Sequence, residues 1–191
     1  GANVNASTRY RVSPLSIAVL RGNAAMVRTL LAAGADPNTL MGEGEPAMLT
    51  ASRLGRPDVV KALIEGNGDV NARERFYGQT PLMWAAIENH AEVIHLLAEN
   101  GAEVNTRADV LEGEPTWRYG SDRRNGINGE ALQNFNTNFS KGGLTPLMYA
   151  ARQGSTAAAL ALIERNADLG AVDPEGFTPL LLAIMNTHYD T

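Results

Sequence analysis

Thr80-Pro81-Leu82-Met83-Trp84-Ala85-Ala86-Ile87-Glu88-Asn89 decides how the chain folds, because its opening comes back at fixed intervals. The tripeptide returns as Ser13-Pro14-Leu15, Thr145-Pro146-Leu147 and Thr178-Pro179-Leu180, and more weakly as Pro46-Ala47-Met48, where Ala47 takes the proline slot. Equivalent slots lie 33 residues apart from 14 to 47, 34 from 47 to 81 and 33 from 146 to 179. From 81 to 146 the step is 65, one repeat with 32 residues added. A fixed period of this size marks a stacked array of small structural units.

A second landmark follows the first. Eight residues past each slot stand Gly22, Gly55, Asn89 and Gly154, and twelve further on Gly34, Asn67, Gly101 and Asn166. Glycine and asparagine enter the left-handed backbone region at least cost, so both places read as helix stops. Two helices per repeat follow, each about eight to ten residues long. The first opens with Ser or Thr as N-cap and proline at its first position, where the missing N–H costs nothing. Small residues come next, as in Trp84-Ala85-Ala86 and Tyr149-Ala150-Ala151, and let neighbouring helices approach closely. The second helix carries apolar residues at helical spacing: Met26, Val27, Leu30, Leu31; Val59, Val60, Leu63, Ile64; Val93, Ile94, Leu96, Leu97. A lone pair would leave that face wet, whereas stacked pairs share one continuous core.

These residues resemble the ankyrin-repeat family, whose repeat runs T-P-L-x-x-A-A-x-x-G-H and closes on L-L-x-x-G-A-D-x-N. The closing motif here reads Leu30-Leu31-Ala32-Ala33-Gly34-Ala35-Asp36-Pro37-Asn38 and Leu96-Leu97-Ala98-Glu99-Asn100-Gly101-Ala102-Glu103-Val104-Asn105. The match covers residues 1–105 and 142–191. It implies an all-α solenoid of helix pairs with β-hairpin fingers and one long inserted loop, a single array over 1–191. The repeats fall at 7–38, 39–72, 73–105, 142–171 and a truncated 172–191, with 106–141 inserted in the finger position. Fingers and first helices would line a concave face, where proteins of this family bind partner proteins.

The chain departs from the family pattern at the histidine two places after the proline, replaced by Ser16, Leu49, Met83, Met148 and Leu181. The expectation is that its hydrogen bond gives way to apolar packing, a choice shared with arrays of bacterial cast. Glu43 stands where the second finger turn should carry glycine, so that finger is expected to be less regular. Gly1-Ala2-Asn3-Val4-Asn5 matches Gly101–Asn105, and the last repeat stops before its second helix. Neither end has the polar face of a capping repeat, so the chain reads as a slice of a longer array.

Residues 106–141 read either as an extended finger loop, with one helical turn near Gly129–Phe135, or as a degenerate repeat. Loops of this length inside a compact domain are uncommon and usually functional or disordered. Trp117, Tyr119, Phe135 and Phe139 are four of the chain's eleven aromatics, while the segment's five acids and five bases cancel. Trp117-Arg118-Tyr119 and Arg123-Arg124 are residue types that concentrate binding energy at interfaces. Pinning of the loop to its own array and recognition of a partner are both compatible with that composition. At the other finger tips, Arg9-Tyr10 and Arg75-Phe76-Tyr77 are further partner-binding candidates, and the tip at Pro174-Glu175 differs from both.

Little points to catalysis. The chain has no cysteine, which excludes disulfides and thiolate chemistry but leaves cytoplasm and bacterial periplasm equally open. His90, after the turn residue Asn89, and His188 in the same register are read as structural; His95 lies on a second helix. No spacing matches a zinc site; the cluster Asp109, Glu112, Glu114 could coordinate calcium together with backbone oxygens, but it fits no EF-hand loop and reads as a solvated acidic stretch. Trp84 and Tyr149, at equivalent first-helix positions, are read as packing residues. A formal charge of -5 argues against nucleic acid as partner, and the sequence holds no apolar run of the roughly 18–20 residues a membrane helix needs. Residues 1–6 lack the basic start and apolar stretch of a signal peptide. The reading is a non-enzymatic module, without metal or cofactor, that binds another protein. Its rivals are a hydrolytic or metal-dependent activity between insertion and concave face, and a stiff spacer.

Overall fold

In the computed structural model, residues 3–42, 44–110 and 142–187 are described. Helices form in pairs: α1 (Pro14–Leu20) with α2 (Ala24–Ala32), α3 (Ala47–Arg53) with α4 (Pro57–Glu65), and α5 (Pro81–Ile87) with α6 (Ala91–Glu99). After residue 141, α7 (Pro146–Gln153) pairs with α8 (Thr156–Glu164), and α9 (Pro179–Thr187) lies against α7. First helices stack in one row, α1, α3, α5, α7, α9; second helices form a parallel row, α2, α4, α6, α8. The architecture is an all-α solenoid. Among the described residues the fingers are tight turns with isolated bridges, Leu40 to Pro46 and Val110 to Gly142, rather than extended strands.

Local chemistry sets the helix limits. All eight stop positions, Gly22, Gly34, Gly55, Asn67, Asn89, Gly101, Gly154 and Asn166, have φ between 59° and 91°, in the left-handed region. Ser13, Thr80 and Thr145 cap α1, α5 and α7, each hydroxyl accepting the backbone N–H three residues on. The weak second copy behaves as its sequence suggests: Pro46 sits at the N-cap of α3 and provides no side-chain bond. The expectation of apolar packing at the histidine position holds at Leu49 and Met148, which are buried. It fails at Ser16, whose hydroxyl accepts Ser13 N at 2.8 Å, and at Leu181, which is exposed; Met83 is buried, yet its sulfur accepts Thr80 N at 3.5 Å. The second finger is regular after all. Gly44, at φ 92°, closes its turn one place after Glu43, which lies outside the described residues, and Met41 N donates to Glu45 O at 2.8 Å.

The core runs between the two rows. Val59, Val60 and Leu63, and their equivalents Val93, Ile94 and Leu97, are wholly buried. Met26, at the position equivalent to Val59 and Val93, is exposed. Stacking is reinforced by a ladder of asparagines. Asn5 Nδ2 donates to Gly34 O at 2.9 Å and its Oδ1 accepts Asp36 N at 3.0 Å. Asn38 accepts Asp69 N at 2.8 Å, and Asn71 bonds Gly101 O and Glu103 N at 3.0 and 2.9 Å. Asn105 then reaches Asn166 O and Asp168 N at 3.3 and 2.8 Å, so the ladder continues across the 65-residue step unchanged. Two further bonds repeat the junction: Asn89 Oδ1 accepts Ala158 N at 2.9 Å, and Ser155 Oγ donates to Ile87 O at 3.1 Å.

Asn105→Ala removes both of its bonds and is expected to lower the free energy of unfolding by about 1–2 kcal/mol, read from urea titration. An unchanged midpoint would show that helix stacking alone sets the junction.

Candidate interaction surface

The fingers are held by specific bonds that aim their tips outward. In the first, Thr8 N donates to Val12 O at 3.0 Å, and Tyr10 is 64 % exposed with the Arg9 guanidinium 4.7 Å from its ring centre. In the third, one carboxylate organises the turn: Glu74 accepts the N–H groups of Phe76, Tyr77 and Gln79 at 2.6, 2.6 and 3.1 Å. That leaves Phe76 56 % exposed, with Arg75 5.5 Å from its ring centre. Tyr77 is half-buried, and its carbonyl accepts Asp109 N at 2.8 Å. The structure thus presents Arg9, Tyr10, Arg75 and Phe76 outward and turns Tyr77 partly inward. Trp117, Arg118, Tyr119, Arg123, Arg124 and the turn near Gly129–Phe135 lie outside the described residues, as do Glu112 and Glu114.

Two arginines tie the last three fingers together. Arg73 Nη2 bonds Arg107 O at 3.0 Å and the Asp109 carboxylate at 2.7 Å; Arg107, the equivalent residue one repeat on, bonds Gly143 O and Val172 O at 2.9 and 2.7 Å. Asp109 is therefore spent on Arg73 and on the third finger. Two glycines crowd against it. A Cβ on Gly78, at φ 58°, would meet the Asp109 carboxylate, and one on Gly142, at φ 101°, would overlap the Asp109 carbonyl. Ala108 N to Leu144 O at 3.1 Å and Gly143 N to Ala108 O at 3.2 Å close the stem from which residues 111–141 leave and return.

Below the fingers, the first helices place two clusters on the same face. Arg53 lies 5.7 Å from the Trp84 ring centre and grips Glu45 through Nε and Nη2 at 3.1 and 3.2 Å. One repeat on, Arg152 lies 5.1 Å from the Tyr149 ring centre, and the Tyr149 hydroxyl accepts Gln79 Nε2 at 3.0 Å. Trp84 and Tyr149 pack as expected, Trp84 half-buried and Tyr149 buried among Met83, Met148 and Leu182. The Trp84 indole nitrogen and the Thr50 hydroxyl, both buried, have no hydrogen-bond partner. Burial pushes the Tyr149 hydroxyl above the ordinary tyrosine value, the Gln79 donor opposing it in part. Burial also pulls the Arg152 guanidinium down from its usual value.

The histidines are accounted for structurally where they are described. His90 Nε2 lies 3.2 Å from Arg53 O in the preceding helix pair, and a Cβ on Gly55 would strike its ring, so Gly55 and His90 fit each other. His95 sits in a polar cluster between α6 and α8, 3.7 Å from the Glu164 carboxylate and accepting from Arg165 Nε. His188 lies outside the described residues. Among the described residues no group of three or more histidines and carboxylates could hold a metal ion, and no helix is long and apolar enough to cross a membrane. Shallow clefts of about 330 and 360 Å³ lie beside the second finger, lined in part by Arg11, Asp36 and Leu40, and by Leu40, Asp69 and Arg73.

Residues 15–108 and 125–191 match the family model described as ankyrin repeats (3 copies). The chain belongs to the ankyrin-repeat family. It is 38 % identical over 116 residues to alpha-latrocrustotoxin-Lt1a of Latrodectus tredecimguttatus, covering 56 % of this chain and 8 % of the toxin. It is 30 % identical over 161 residues to the E3 ubiquitin-protein ligase XBAT33 of Arabidopsis thaliana, 84 % of this chain and 30 % of the ligase. It is 28 % identical over 186 residues to the B-cell lymphoma 3 protein homolog of Mus musculus, 94 % of this chain and 41 % of that protein. The chain thus spans less than half the length of each, and all three come from eukaryotes.

Because unfolded tyrosine ionises near 10.0 and buried Tyr149 later, the stability it confers is complete below that pH and drains away above it. The melting temperature is expected to fall above pH 10 less steeply in Tyr149→Phe than in the parent, and tyrosinate absorbance should show one late phase that this variant lacks. Loss of no phase in Tyr149→Phe would contradict the assignment.

Proposed function

We propose that the array is a non-enzymatic module whose inner face, formed by first helices and finger tips, binds another protein, with the segment 111–141 contributing Trp117, Arg118, Tyr119, Arg123 and Arg124 from the tip of the fourth finger. The observation that carries this reading is the pair of outward tips, Arg9–Tyr10 and Arg75–Phe76, each on a turn closed by backbone bonds. Arginine and aromatic side chains are the residues that dominate interface energy, and a preformed turn lowers the ordering cost of presenting them. The stem from Ala108 to Leu144 supports placing 106–141 as an insertion in a finger, since the helix pairs on either side keep the asparagine ladder and the bond to the first-helix carbonyl that their neighbours make. The relatives support recognition rather than chemistry as the shared property. A toxin, a ubiquitin-protein ligase and a lymphoma protein homolog carry similar arrays under different names, each in a chain more than twice as long.

The test uses affinity capture from a lysate of the source organism with three proteins: the chain itself, Arg75→Ser/Phe76→Ser, and a chain in which Asn-Gly replaces 111–141 and keeps the stem. Capture of a defined partner by the first, reduced about tenfold or more in the other two with helicity retained, is expected. Equal capture by all three would remove the third finger and the insertion from the interface. Capture by none would remove the binding reading.

A further inference from the structure

Charge is divided unevenly between the two faces. The finger and first-helix segments (7–22, 39–55, 72–89, 106–110, 142–154 and 171–185) hold eight arginines and seven carboxylates. The second-helix segments (23–38, 56–71, 90–105 and 155–170) hold four cations and nine carboxylates. The outer half therefore carries the chain's negative charge, and the inner half is slightly positive with arginine as its only cation. Finger one and α1 are the extreme case: Arg9, Arg11 and Arg21 with no acid between residues 7 and 22.

Every arginine–aromatic pair among the described residues lies on that inner half: Arg9–Tyr10, Arg53–Trp84, Arg75–Phe76 and Arg152–Tyr149. A guanidinium lying against a ring is oriented by it, yet keeps its in-plane N–H fork for a carboxylate. One pair shows the use of that fork. Arg53 spends it on Glu45, eight residues earlier. Arg152 occupies the same repeat position, but the residue eight before it is Leu144, which is buried and apolar. Arg152 is half-buried against Tyr149 with no carboxylate partner among the described residues; Arg75 also lacks one, as does Arg9, whose Nη2 donates to the Tyr10 hydroxyl at 2.6 Å.

We propose that the inner face receives an acidic segment of the partner protein, one carboxylate taking on Arg152 the place that Glu45 holds on Arg53, and others meeting Arg9 and Arg75 at the finger tips. The proposal rests on the binding-module reading and adds the chemistry of the partner. A peptide fits better than a nucleic acid: a phosphate backbone is held by many cations at once, and an excess of one positive charge over the inner half does not supply them. The acidic outer half further confines an acidic ligand to one side of the stack.

Random twelve-residue peptides displayed on phage are selected on the immobilised full chain at physiological salt, and enriched peptides are measured by fluorescence anisotropy. Enrichment of Asp and Glu over the input is expected. Affinity should fall at least tenfold in Arg152→Gln, partly in Arg152→Lys, which keeps the charge without the planar fork, and not at all in Lys61→Gln on the outer half. Melting curves of the variants separate loss of contact from loss of fold, and weakened binding by an intact Arg152→Lys still reports the fork. Enrichment of neutral or basic peptides, or equal binding by Arg152→Gln, overturns the acidic partner and leaves the module standing. A labelled single-stranded DNA bound more tightly than the enriched peptides also overturns it. Enrichment of nothing counts against the module itself and the proposal with it.

Discussion

The side-chain amides of Asn5, Asn38, Asn71 and Asn105 each bind the loop of the following repeat, and the register of the array depends on them. A helix pair of this size cannot bury its own apolar face, so its stability comes from its neighbours. Apolar contact alone tolerates sliding, whereas an amide that meets backbone groups of the next loop accepts one alignment only. With that alignment set, Val59, Val60 and Leu63 fall against Val93, Ile94 and Leu97, and the fingers come close enough for Arg73 and Arg107 to link them. The inner face is thus a product of the outer ladder.

Membership of the ankyrin-repeat family gives this construction its context. The inner face has its own character within it. Among the described residues its cations are all arginines, four of them stand against aromatic rings, and only Arg53 and Arg73 are matched by acids there. Arginine is suited to such positions because its charge is delocalised over a plane that stacks and bonds simultaneously. The outer helices pair charge differently, through exposed bridges such as Arg28 with Glu65, which contribute little to stability.

What the sequence revealed of the fold was whatever depends on local backbone chemistry. Eight glycines and asparagines at two fixed offsets marked eight left-handed stops, because the cost of that conformation belongs to the residue itself. Caps at Ser13, Thr80 and Thr145 were equally visible. The surface was legible only at its tips. Arg9–Tyr10 and Arg75–Phe76 were identifiable as neighbours in the chain, but Arg53 meets Trp84 from another repeat and Gln79 meets Tyr149 across the 65-residue step. Such pairings depend on how far one repeat is rotated on the next, which spacing does not encode. Glu74 escaped notice for a related reason: a carboxylate folded back on three N–H groups looks, in sequence, like any surface acid. Ser16 departs from apolar packing because a serine can stand in for histidine as hydrogen-bond partner while differing in size and charge.

The stem at Ala108–Val110 and Gly142–Leu144 closes completely before residues 111–141 begin. The bonds by which Ile87, Asn89 and Asn105 join α5 and α6 to α7 and α8 are therefore made outside 111–141. The stem is in that sense a socket: it brings two points of the chain side by side where the 33-residue period breaks, and fixes them there with the same backbone chemistry that closes the other turns.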